Sequence, residues 1–106
     1  MSKEEETKNK LQQITAQSKT IEVMDQEFEI KPLTNDEFLK IAANERLDKS
    51  EMVNRMVHTI LKKDDDTIEL EHVRESPPGV TIAVMEAMEE VNGLEDFMPK
   101  PAKISR

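Results

Sequence analysis

The chain has 106 residues, the length of one domain, and its 23 acidic residues against 15 basic ones give a net charge of −8. It has no cysteine, which excludes disulfides, thiolate metal sites and a cysteine nucleophile, and its two glycines exclude a phosphate-cradling loop. The acidic surface disfavours binding to nucleic acid or to anionic membranes.

Residues 1–18 are predicted to form a flexible tail. Residues 1–10 are nearly all polar and no apolar run follows them, so we expect no signal peptide and an intracellular location. Leu11 and Ile14 are too few to anchor a helix. No stretch of the sequence approaches the roughly 20 apolar residues of a membrane span.

Two alternating runs after this tail predict a β-hairpin. Apolar and acidic residues alternate over residues 21–23 and again over residues 28–30, which gives each run one apolar face. Residues 24–27 are expected to form the turn, although no Asn-Gly or Asp-Gly pair marks it. Pro32 cannot donate a hydrogen bond to a partner strand, so the second strand should end before it.

The first helix start is predicted at Thr34. Thr34 and Glu37 have the spacing of a capping box, in which the side chain of each residue bonds the amide of the other. Leu33 and Phe38 occupy the positions of a hydrophobic staple, in which an apolar residue before the cap packs on one in the first turn. This helix is expected to reach about residue 44.

The second helix start, at residues 48–51, repeats this pattern with Leu47 and Met52 in the staple positions. The helix that follows has the clearest amphipathic pattern in the chain, because its apolar residues form one stripe at helical spacing: Met52, Val53, Met56, Val57, Ile60 and Leu61. Lys62 and Lys63 close it, where cations interact favourably with the helix dipole.

Two shorter patterns predict the remaining helices. Residues 64–66 are expected to form a charged turn, after which Asp66 or Thr67 caps a short helix carrying Leu70 and Val73. Ser76 is the predicted cap of the last helix, with Pro77 at its first position. The last apolar stripe consists of Val80, Val84, Met85, Met88 and Val91, and Asn92-Gly93 ends it with Leu94 packing back in a Schellman arrangement.

The order of these elements predicts an α+β fold, in which an N-terminal β-hairpin is followed by a bundle of three to four short helices. We expect one domain over residues 19–97. Residues 98–106, which are basic and contain two prolines, are expected to form a second flexible tail.

No arrangement of residues indicates catalysis or metal binding. The aspartates at 64–66 lack the central glycine and the glutamate at the twelfth position that an EF-hand loop requires. His58 and His72, the only histidines, are interpreted as helix-surface or partly buried residues. We therefore expect a protein that is not an enzyme and that has no catalytic residue, cofactor or metal.

The methionines allow two interpretations. Two pairs of them lie on the apolar stripes of the second and the last helix, where they either fill the core or form an adaptable groove for a partner segment. On the second interpretation the candidate partner-binding residues are Met52, Met56, Met85, Met88 and Phe97.

Three segments, which cover about residues 20–97, carry a family resemblance. The chain reads FEIKPLTNDEFLKI at the end of the hairpin, TIELEHVRESPPGV before the last helix and EEVNGLEDF at its end. With these features it resembles the tail assembly chaperones of long-tailed bacteriophages and their prophage-encoded relatives. Members of that family commonly have a short β segment, a PLT..E entry into a helix and a last helix with a proline-marked start.

The resemblance implies a chaperone in the host cytoplasm that binds the tape measure protein, keeps it soluble and helps recruit tail-tube subunits. The expected partner is the tape measure protein, and contacts with the tail-tube protein or with a second copy of the chain are compatible with the same role. Nucleic acid and membranes are not expected partners. Two alternatives remain open: an acidic inhibitor that mimics nucleic acid, and a small structural component of the virion.

Overall fold

The computed structural model describes Lys10 and residues 16–94. An antiparallel two-stranded hairpin precedes four helices, which confirms the predicted α+β class. Most of the first predicted tail, all of the second one and the end of the predicted domain lie outside the described residues. The elements are β1 (Lys19–Val23), β2 (Gln26–Ile30), α1 (Asn35–Ala42), α2 (Lys49–Asp64), α3 (Leu70–Glu75) and α4 (Pro78–Val91).

The hairpin is confirmed, with a turn shorter than predicted. Ile21 pairs with Phe28 and Val23 pairs with Gln26, so only Met24 and Asp25 form the turn. Both have positive φ, 51° and 68°, which is the backbone of a type I′ turn. That turn matches the twist of the two strands, and it forms here without the Asn-Gly pair that usually provides it.

The first two helix starts are confirmed. The Glu37 amide donates to Thr34 Oγ1 at 3.1 Å and the Thr34 amide donates to Glu37 Oε1 at 2.9 Å, so both halves of the capping box are present. At the start of α2, Asp48 Oδ1 accepts the Glu51 amide at 2.8 Å. The first helix ends at Ala42, two residues before the predicted end.

The predicted caps of the last two helices are wrong. The residue that caps α3 is Glu69, whose amide donates to His72 Nδ1 at 2.9 Å, rather than Asp66 or Thr67. Ser76 ends α3 instead of starting α4, because its hydroxyl donates to the Val73 carbonyl at 2.7 Å.

A proline pair sets the start of α4. Pro77 precedes another proline, which holds it in an extended conformation (φ −61°, ψ 146°), so the helix begins at Pro78. The predicted end of this helix is confirmed: Gly93 has φ 68°, and the Leu94 amide donates to the Glu89 carbonyl at 2.8 Å as in a Schellman motif.

The core forms around α2, which packs against β2, α1, α3 and α4. Its predicted stripe faces inward, together with the stripe of α4 and the apolar face of the hairpin. The hydrophobic side chains that are almost or completely buried are Ile30, Ile41, Met56, Val57, Ile60, Leu61, Val73, Val84, Met85, Ala87, Met88 and Val91.

The C-terminal end of α2 is also a polar junction. The Lys63 ammonium lies 2.9 Å from Glu37 Oε1 of α1, and the Lys63 carbonyl accepts from Lys31 Nζ at 3.2 Å. Asp64 Oδ2 accepts the Glu29 amide of β2 at 3.3 Å. Accepting the Thr34 amide and binding Lys63 together lower the pKa of Glu37 below its ordinary value.

The hairpin turn allows a test of backbone strain. Met24 and Asp25 are held at positive φ, a conformation that costs more conformational free energy for most residues than for Gly or Asn. We expect Met24→Asn combined with Asp25→Gly to raise the free energy of unfolding by about 1 kcal/mol, measured by urea denaturation. Met24→Ala alone removes the side chain and keeps the strain, so a comparable gain from that variant would contradict the explanation.

The junction predicts a pH dependence. Because the pKa of Glu37 is lowered by folding, its contribution to stability is complete above the ordinary value of 4.5 and is lost as the pH falls through the folded value. We expect Glu37→Gln to destabilise the domain by about 1 kcal/mol at pH 7 and by progressively less below pH 4.5, measured by denaturation across that range.

The control for this measurement is Glu45→Gln, which changes an exposed glutamate in the α1–α2 loop. It should leave the pH dependence of the wild type unchanged. A constant difference between Glu37→Gln and the wild type at every pH would contradict the role of the ionised carboxylate.

Candidate partner-binding cleft

The predicted partner-binding methionines lie mainly in the core. Met56, Met85 and Met88 have 0% exposed surface, and Met52 is partly buried against them. Phe97 lies outside the described residues. In the closed domain these three side chains fill the core, and a partner could reach them only if the domain opened.

The physical reason is that the stripes of α2 and α4 face each other. Each helix leaves one apolar side uncovered, and the two sides pack together in the same cluster with Ile30 of the hairpin. Unbranched methionine side chains suit such a junction because their flexible thioethers fill irregular gaps. Three of the methionines that could have formed an adaptable groove therefore pack inside the domain.

A surface cleft of about 560 Å³ lies between α1, the α1–α2 loop, α2 and the start of α3. Three apolar side chains line it: Ile41, Leu47 and Leu70. Six further residues that line it carry polar or charged side chains: Glu37, Lys40, Asn44, Arg55, His58 and Thr59. A cleft lined by both apolar and polar side chains is typical of a recognition site.

Hydrogen bonds fix one side of this cleft. His58 Nε2 donates to the Ile68 carbonyl at 2.9 Å, since a carbonyl oxygen can only accept. The Thr59 hydroxyl donates to the Arg55 carbonyl one helical turn earlier at 2.8 Å. His58 therefore holds the segment before α3 against α2, which keeps Leu70 at the cleft.

The charged groups around the cleft differ in whether they have a partner of opposite charge. Glu37 is occupied by Lys63, as described above, while Glu51 Oε1 lies 3.4 Å from Arg55 Nε and 2.6 Å from Arg74 Nη2. Bonding to Glu51 and to Glu71 raises the pKa of Arg74. Within the described part of the chain, no carboxylate oxygen lies within 4 Å of the Lys40 ammonium.

No local pattern in the sequence marks this cleft. Its lining comes from residues 37–47, 55–59 and 70, which meet only after α1 and α3 have packed on α2. The sequence predicts Leu47 as a staple residue and Leu70 as an apolar residue of a short helix, and each also lines the cleft. Predicting the cleft requires knowledge of the contact between α1 and α2, which no short sequence pattern provides.

The described residues contain neither a membrane-spanning helix nor a metal cluster. There, no helix has the length and apolar character that crossing a bilayer requires. Nor do three His, Cys, Asp or Glu side chains of these residues converge where they could hold a metal ion.

Comparison of the chain with protein-family models, with curated proteins and with solved structures finds no match. The function therefore has to be inferred from the residues and from the geometry of the domain.

Replacing methionine with aspartate should change the free energy of unfolding far more at a buried position than at an exposed one. Met85→Asp places a charge in the core and should lower the free energy of unfolding by at least about 4 kcal/mol. Met24→Asp, at a side chain that is 68% exposed, should change it by less than about 0.5 kcal/mol. Circular dichroism melts of the two variants measure the difference, and a Met85→Asp variant as stable as the wild type would contradict the core placement.

Proposed function

We propose that the protein is a non-enzymatic tail assembly chaperone of a long-tailed bacteriophage or a prophage. It binds the tape measure protein in the host cytoplasm, keeps it soluble and helps recruit tail-tube subunits. The short β hairpin, the PLT..E entry into α1 and the proline-marked start of α4 support this proposal as features shared with that family.

The observation that carries the proposal is the open cleft between α1 and α2. Leu47 and Leu70 are partly exposed there beside the nearly buried Ile41, and polar side chains line the cleft with them, which suits reversible binding of an apolar segment of another protein. A chaperone has to release its client, and a cleft of this size offers fewer contacts than a permanent interface. Binding there leaves the core undisturbed.

The charge of the chain supports the same function. A net charge of −8 on a small domain gives a strongly hydrated surface that resists association. A long tape measure protein exposes apolar segments before the tail tube surrounds it, so a highly charged cover would keep the complex in solution.

Co-expression with the neighbouring tape measure gene tests the proposal. We expect the tape measure protein to stay in the soluble fraction and to co-purify with the chaperone, and we expect the chaperone to be absent from finished virions by mass spectrometry. An insoluble tape measure protein that does not co-purify would contradict the proposal, and detection of this chain in virions would favour a structural component instead.

A matched pair of variants connects this test to the cleft. Leu47→Gln removes an apolar side chain from the cleft, and Leu39→Gln makes the same change at a side chain of α1 that is 46% exposed and does not line it. We expect Leu47→Gln to reduce the soluble tape measure protein several-fold and Leu39→Gln to leave it near the wild-type level. Thermal melts establish that both variants are folded.

A further inference from the structure

We infer that the cleft between α1 and α2 binds an amphipathic helix whose apolar side chains are flanked by carboxylates. The inference rests on the proposed function and specifies its partner: the bound segment of the client is helical and acidic. This is the opposite of what the overall charge of −8 suggests, since a negative domain should attract a basic partner.

The first reason is that the charged residues that line the cleft are mainly cationic. Lys40 and Arg55 are the two cations that line the cleft, and the one carboxylate there, that of Glu37, is paired with the Lys63 ammonium at 2.9 Å. The lining of the cleft therefore carries one more cation than carboxylate, on a protein that is acidic as a whole. Complementary charges at the rim of an interface steer the encounter and fix the orientation of the partner.

The second reason is that both cations retain capacity for a partner. Lys40 is exposed, with no carboxylate oxygen of the described residues within 4 Å. Arg55 contacts Glu51 through Nε at 3.4 Å, and the same carboxylate oxygen also binds Arg74 at 2.6 Å. The two terminal amino groups of Arg55 thus remain available to a carboxylate of the partner.

The third reason concerns the conformation of the partner. The long walls of the cleft are the helices α1 and α2, whose backbone groups are bonded within each helix. An extended peptide would find no strand edge to pair with, whereas a helix satisfies its own backbone. The partly exposed side chains of Leu47 and Leu70, beside the nearly buried Ile41, can then contact residues that are three or four positions apart on that helix.

Two designed helical peptides test the inference by fluorescence anisotropy with the full chain. Both carry leucines at helical spacing, and the flanking positions are glutamate in one peptide and lysine in the other. We expect the glutamate peptide to bind about tenfold more tightly than the lysine peptide, with an affinity that falls as salt is added. Equal binding, or preference for the lysine peptide, would overturn the inference.

Charge reversal on the protein then locates the binding site. Lys40→Glu with Arg55→Glu should weaken binding of the glutamate peptide about tenfold, the order expected for two ion pairs at the rim of an interface. Lys49→Glu with Lys62→Glu gives the same net charge at exposed positions of α2 that do not line the cleft, and should change affinity little. Equal losses in both double variants would place the effect outside the cleft and overturn the inference.

The two double variants, co-expressed with the tape measure protein, separate this inference from the proposed function. If all forms keep the tape measure protein soluble, the function stands and the cleft is not the binding site. If the wild type fails to do so but the glutamate peptide still binds through Lys40 and Arg55, the function is wrong and the binding inference stands. Thermal melts of both variants establish that they are folded.

Discussion

The structure depends on burial of one face of α2. The side chains of Met56, Val57, Ile60 and Leu61 are covered from several directions, because β2, α1, α3 and α4 all pack on this helix. Burial of apolar surface is the main favourable contribution to folding, and a domain of this size has room for only one such centre. The cleft lies where one of these surrounding elements, α1, meets α2 incompletely beside Leu47.

Polar contacts determine how the outer elements lie on that face. Lys63 and Asp64 at the end of α2 hold α1 and the hairpin through Glu37, Lys31 and Glu29. His58, nearer the middle of α2, holds the segment before α3 through the Ile68 carbonyl. Both sets of contacts also set the borders of the cleft, since Glu37 and His58 line it. The residues that stabilise the packing thus shape the candidate site as well.

Much of the fold could be predicted from local rules. The capping box at Thr34, the cap at Asp48 and the Gly93 Schellman motif each depend on residues close in sequence, and all are present. The error at Ser76 arose where two local rules compete, because this residue serves the helix before it rather than the one after it. The cleft could not be predicted, because its three segments meet only through tertiary packing, and an apolar stripe looks the same whether it faces a core or a partner.

We propose that a client binds in the cleft while the core stays closed. Nuclear magnetic resonance of the labelled chain, titrated with a segment of the tape measure protein, tests it most directly. We expect the amide signals of Asn44, Leu47 and Thr59 to shift while the methyl signals of Met56, Met85 and Met88 stay in place and α2 keeps its protection from hydrogen exchange. Shifts of those three methyl signals together with loss of protection in α2 would contradict the claim, because they would mean that the domain opens and binds its client with the core.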